Sequence, residues 1–215
     1  MQHIVSPLVP FPNIWWWSRV MNAAEVTFDQ AEHFAKMTYR NRYYITGANG
    51  WIQLTVPLAH GRNQRTPMQD VLIDNNERWQ VQHWRTLVSV YARAPYFEHY
   101  APAIEPLFQQ KFDKLVAFSE ATIQLLKKET GISFNENKAT EYKQYEDSLT
   151  DLRKTFKPHA EKTGIGATPA PYYQLFSERN GFYPNLSILD LLFSEGPAVK
   201  QVLEQHKTII ESWHK

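Results

Sequence analysis

The chain has 215 residues, with 23 Lys plus Arg against 22 Asp plus Glu, a formal charge of +1. That balance lacks the basic excess that nonspecific nucleic-acid or anionic-membrane binding needs, and no apolar run approaches the roughly 18 residues of a spanning helix. Cysteine is absent, which excludes disulfides, thiolate metal ligands and cysteine nucleophiles together.

With 43% hydrophobic and 21% charged residues the chain has the make-up of a globular domain. The first twenty residues show no charged leader ahead of a clean apolar stretch, so a cytoplasmic protein is expected. Aromatic residues make up 14% of the chain, an excess that suits both a core and a small-molecule pocket.

Residues 3–8 read as a short strand, and Pro7, Pro10 and Pro12 end its pairing. Asn13 caps an expected helix over 14–23 that holds Trp15, Trp16 and Trp17. Three consecutive residues span 200° of a helix, so the three indoles cannot all face one core. Residues 25–29 alternate like a strand, which makes the start of the chain a compact βαβ unit.

Residues 39–46 and 51–58 are strand-like and flank Gly47-Ala-Asn-Gly50, a hairpin signal. On the first of these strands Arg40 and Arg42 share one face, and Tyr39, Asn41 and Tyr43 the other. On the second, Ile52, Leu54 and Val56 share a face. Residues 70–74 read as a further strand. From 76 to 94 the period becomes helical, with Trp79, His83, Leu87 and Val90 within one 80° arc. A second amphipathic helix spans 112–130 and is closed by Gly131. Residues 135–170 are polar and read as an exposed connection with a short helix near 149–156; Gly164-Ile-Gly166 there reads as a flexible turn. Ser187 and Asp190 resemble a capping box opening an apolar helix, and Pro197 starts the last one.

The expected fold is therefore α/β: an N-terminal mixed sheet (1–75) with a βαβ start and a β-hairpin, packed against long amphipathic helices (76–134 and 171–215) in one domain. Phosphate-loop, serine-elbow and HExxH patterns are missing, so no motif assigns a metal or a cofactor. Two local groups carry chemistry. Tyr39-Arg40-Asn41-Arg42 either binds an anion through its guanidinium forks or is a solvated strand face. His83 is either a neutral buried imidazole or the base of a pocket.

Several of these motifs resemble the WbqC-like family: Lys36-Met-Thr-Tyr-Arg-Asn-Arg42, Gly47-Ala-Asn-Gly50, Leu54-Thr-Val-Pro57, Trp79 with His83-Trp84, Val90-Tyr91, and Pro95-Tyr-Phe-Glu98. The pattern continues through Tyr172-Tyr-Gln-Leu-Phe176 and Gly181-Phe-Tyr-Pro-Asn-Leu-Ser-Ile-Leu-Asp-Leu-Leu-Phe193. Trp16 and Trp17 stand where the family has tyrosines. The resemblance implies bacterial surface-polysaccharide (O-antigen-type) biosynthesis, with transfer of glycine or another small group. It points to His83 as a general base, and to Tyr39, Arg40, Asn41, Arg42, Trp79, Asn185 and Asp190 as binding residues for a nucleotide-linked or acyl-activated anionic donor. Asn185 and Asp190 also suit a turn and a helix cap. A non-catalytic small-molecule-binding or accessory protein, partnered with a biosynthetic enzyme, is the alternative.

Overall fold

A computed structural model describes residues 2–59, 65–141, 143–145, 149–154, 156, 158 and 171–212, with backbone alone over 207–212. The expected βαβ start is present. Strand β1 (His3–Ser6) runs parallel to β2 (Glu25–Asp29), and α1 (Ile14–Val20) crosses between them. The Asn13 side chain accepts the Trp16 N–H at 3.0 Å and sets where α1 begins. All three indoles are buried, because α1 is enclosed by the sheet and by helices from the end of the chain. Trp16 lies over Phe28 of β2 and donates to Ser6 Oγ at 2.8 Å. Trp17 meets Phe134 and the edge of Trp16, and Trp15 stacks on Phe156.

The sheet differs from the expected one in two ways. Its order is β5-β2-β1-β6 and every pairing is parallel. Its outer strands β5 (Asn135–Ala139) and β6 (Thr150–Asp151) come from the segment that reads as a polar connection, and β6 with a turn stands where a short helix is expected. An edge strand needs backbone pairing on one side only and tolerates polar side chains on both faces, so β5 shows no alternation. The loop at Gly164 and Gly166 lies outside the described residues.

The hairpin forms as expected but stands apart as its own sheet, with β3 (Arg42–Ile45) antiparallel to β4 (Ile52–Thr55). Residues 39–41 are not part of β3: Tyr39–Asn41 is a 3₁₀ turn, capped by Thr38 Oγ1. Residues 70–74 do not form a strand of the sheet either. They follow a 3₁₀ turn (Met68–Asp70) and make isolated bridges, Leu58 to Ile73 and Leu72 to Lys114.

The helices follow the hydrophobic periods closely. Helix α2 (Trp79–Tyr91) buries Trp79, His83, Leu87 and Tyr91. Two short helices, α3 (Phe97–Ile104) and α4 (Pro106–Gln109), lead to α5 (Leu115–Thr130), which ends at Gly131 with φ +65°. Helix α5 runs beside β2 and β5, where Lys127 pairs with Glu136 and Gln30 donates to Glu120. After α6 (Ser177–Asn180), Ser187 caps α7 (Ile188–Glu195), and α8 (Val199–Ser212) packs on α1.

Gly196 ends α7 at φ +52°, and a Cβ there would lie 2.5 Å from the Tyr96 ring. Gly196→Ala combines backbone strain with overpacking, so we expect it to lower unfolding stability by about 2 kcal/mol in urea titration.

Candidate functional site

A 3₁₀ turn advances about 120° per residue, so three successive side chains leave it in three directions. The turn at Tyr39–Asn41 does this, and each side chain ends in a different cavity.

Arg40 turns beneath the carboxyl ends of the parallel strands and is only 3% exposed. Its guanidinium grips Glu32 with Nε on Oε1 at 3.0 Å and Nη2 on Oε2 at 2.5 Å, and Nη2 also donates to the Arg153 carbonyl. Burial raises the Glu32 pKa above its ordinary value, against the pull of Arg40. Next to this pair, Arg153 binds Asp29 and Asp151 at 2.6 Å each, joining the ends of β2 and β6. Glu32, Arg40, Asp151 and Arg153 border a cavity of about 800 Å³.

Asn41 and Arg42 enter a second cleft of about 510 Å³, lined also by Phe34, Lys36, Thr55 and Pro57, with Asp74 and Glu77 as its carboxylates. Asn41 is 7% exposed, and its Nδ2 donates to the Val56 carbonyl at 3.0 Å. A carbonyl accepts only, so this bond fixes the amide orientation and leaves Oδ1 on the other side. Asn41 Oδ1 and Arg42 Nε are both buried and without a hydrogen-bond partner among the described residues. Met37, also on this cleft, is 77% exposed with φ +56°, a conformation costing a non-glycine residue on the order of 1 kcal/mol.

Tyr39 faces a third pocket of about 130 Å³, shared with Tyr44, Trp51, Tyr183 and Asn185. Asn185 holds φ +58°, a left-handed geometry that asparagine tolerates better than most residues. The hairpin turn beside it is pinned by Asn180 Nδ2 on the Gly47 carbonyl at 2.9 Å.

The other candidates lie in the core. His83 is 4% exposed, with both ring nitrogens engaged. Nε2 donates to the Thr55 carbonyl at 3.2 Å, which leaves Nδ1 to accept from the Tyr43 hydroxyl at 3.0 Å. Burial lowers its pKa to about 4, outweighing the Thr55 bond, so the ring is neutral. Trp79 packs edge-on against His83 and Phe118. Asp190 does not close a capping box; it accepts from the hydroxyls of Tyr91 and Tyr172 at 2.6 Å each. Burial raises its pKa to about 6, against those hydrogen bonds.

The structure thus joins Asn41 with Arg42, and Tyr39 with Asn185, and separates both pairs from Arg40, His83, Trp79 and Asp190. Lys36 and Thr55 line the cleft, and Tyr44, Trp51 and Tyr183 the pocket, without being among the expected site residues. The alternation of β3 and β4 was the available signal, since it sets Arg42, Tyr44, Gln53 and Thr55 on one face. Among the described residues no group of three or more His, Cys, Asp or Glu is placed to hold a metal ion, and no helix is long and apolar enough to cross a membrane.

The WbqC-like protein family matches residues 10–169, most of the chain, and the protein belongs to it. The motifs at 172–176 and 181–193 lie beyond the matched range. The chain is also 24% identical over 186 residues to Rv1507c, an uncharacterised protein of Mycobacterium tuberculosis (strain ATCC 25618 / H37Rv), covering 76% of this chain and 80% of the relative. No solved structure matches it significantly.

His83 and His206 are both held near pKa 4 by burial, below their ordinary 6.5, while Asp190 is held near 6, above its ordinary 3.8. Between pH 6.5 and 4 the unfolded chain binds protons that the two folded histidines refuse, so acidification removes stability there. Asp190 acts oppositely between pH 3.8 and 6, where the folded chain binds the extra proton. Comparing urea midpoints at pH 7 and pH 5, we expect His83→Gln to lose less stability on acidification than the wild type, and Asp190→Asn to lose more.

Proposed function

We propose that this chain, as a single WbqC-like domain working in the cytoplasm, is a transferase that holds a small activated anionic donor in the Asn41–Arg42 cleft. Family membership supports the setting of surface-polysaccharide assembly, and aminoacyl transfer such as that of glycine fits a cleft of this size. One observation carries the reading: two successive residues lining one open cleft each keep a buried polar atom, Asn41 Oδ1 and Arg42 Nε, without a hydrogen-bond partner among the described residues. Buried polar groups are seldom left unsatisfied in a folded protein, and a ligand offering an acceptor and a donor satisfies both.

In this reading Arg42 and Lys36 carry the donor's negative charge, and Asn41 Oδ1 orients its neighbouring donor group. Asp74 and Glu77 are the carboxylates within the cleft able to take a proton from an attacking amine or hydroxyl. His83 acts through Thr55, whose carbonyl it holds, and so fixes one wall of the cleft as a positioning residue. Arg40 is a fastening of the fold. The accessory-protein reading draws on a different feature: α2 exposes Val81 and Val88, one heptad apart, with the partly buried Trp84 between them.

The two arginines separate the roles experimentally. Arg42→Ala is expected to weaken binding of inorganic phosphate or pyrophosphate at least tenfold by calorimetry while leaving the melting temperature nearly unchanged. Arg40→Ala strands the buried Glu32 carboxylate and is expected to cost about 3–5 kcal/mol of stability. Anion binding that survives Arg42→Ala sinks the assignment of the cleft.

A further inference from the structure

The cleft and the aromatic pocket are built on the same surface. Arg42 and Tyr44 are two residues apart on β3, and their register partners Thr55 and Gln53 lie directly across on β4. All four side chains therefore project from the outer face of the hairpin, while Tyr43, Ile45 and Leu54 fill the core below.

Gln53 ties this face together. Its Oε1 accepts from Arg42 Nη1 at 3.3 Å and from the Tyr44 hydroxyl at 2.9 Å, and its Nε2 donates to Thr55 Oγ1 at 2.9 Å. An anion-seeking group at one end and an aromatic pocket at the other thus stand about 7 Å apart, the rise of two strand residues.

The pocket end suits a flat ring. Trp51 is 49% exposed and meets Tyr44 edge-to-face at 5.3 Å, while Tyr44 meets Tyr39 at right angles at 5.8 Å. Walls at right angles cannot sandwich a ring from both sides, but they give it one face to stack on and edges to abut. Among the described residues no charged side chain lines the pocket. The side chains of Asn185 and Tyr183 border it with an amide and a phenol hydroxyl, the kinds of group that pair with ring nitrogens and carbonyls at a ligand's edge. A small, uncharged aromatic pocket with edge donors and acceptors is what a nucleobase requires.

We propose that the outer face of the hairpin is a two-part nucleotide site. The base stacks on Trp51 between Tyr44, Tyr183 and Asn185, the pentose crosses Gln53, and the phosphate reaches Arg42 and Lys36. This rests on reading the Asn41–Arg42 cleft as an anion site, and it narrows the donor of that reading to a nucleoside phosphate rather than an acyl phosphate or a free acid.

Calorimetric titration of the full chain with uridine and adenosine monophosphates, the two nucleosides, hexose 1-phosphate and inorganic phosphate tests both levels. At least one nucleotide is expected to bind tenfold or more tightly than phosphate and than its own nucleoside. Trp51→Ala should reduce that nucleotide to the affinity of phosphate alone, and Trp51→Phe should restore most of the loss. Trp51 is half-exposed, so neither change threatens the fold. Phosphate binding that needs Arg42 but gains nothing from a base, or hexose 1-phosphate binding as tightly as the nucleotides, overturns the nucleotide site and leaves the anion cleft standing. Binding of no phosphorylated compound overturns both.

Discussion

A guanidinium that is almost fully buried must be neutralised where it lies, and Arg40 meets that condition at the junction of the two sheets. Its carboxylate partner, Glu32, follows β2, and its third contact is the carbonyl of Arg153, which follows β6. Arg153 in turn reaches back to Asp29 at the end of β2. The carboxyl ends of the parallel strands and the start of the hairpin are therefore locked by one set of charge-assisted bonds, worth more than neutral ones in a buried setting. The position of Arg40 also determines where Tyr39 and Asn41 go, since the 3₁₀ turn fixes the angles between them. Both outer cavities depend on that one fastening.

Much of the fold was legible because most of it obeys burial periodicity. The arc of Trp79, His83 and Leu87, the stop at Gly131 and the cap at Ser187 all appear where the pattern places them. The parallel sheet was half legible. Its inner strands β1 and β2 carry the apolar residues Ile4, Val5, Val26 and Phe28, whereas Asn135–Ala139 and Thr150–Asp151 are polar and take their place in the sheet by main-chain pairing. Side-chain pattern carries no record of a bond made by the main chain at an edge.

The candidate site was legible in residue type and misplaced in geometry. A strand turns side chains by 180° per residue and a 3₁₀ turn by 120°, so extending β3 back to residue 39 puts Arg40 beside Arg42. The folded chain sends one guanidinium inward and the other into the cleft. Thr38 marks the difference, since its hydroxyl caps the turn. His83 was correctly legible as a histidine on an apolar face, but whether a pocket opened beside it depended on Tyr43 and Thr55, some 40 and 28 residues away in sequence.

The rings that wall the small pocket come from opposite ends of the chain. Phe156 lies between Trp15 and Tyr39, stacking on each at 5.8 and 4.6 Å, and Tyr183 and Asn185 close the far side. Such a pocket has high contact order, and its loops must close before any of its contacts form. On a ribosome adding roughly 5–20 residues per second, Trp51 and Tyr44 emerge on the order of ten seconds before residues 183–185 exist to cover them. During that interval the nascent hairpin presents an aromatic face to the cell, and its safe passage depends on how promptly the remaining helices follow.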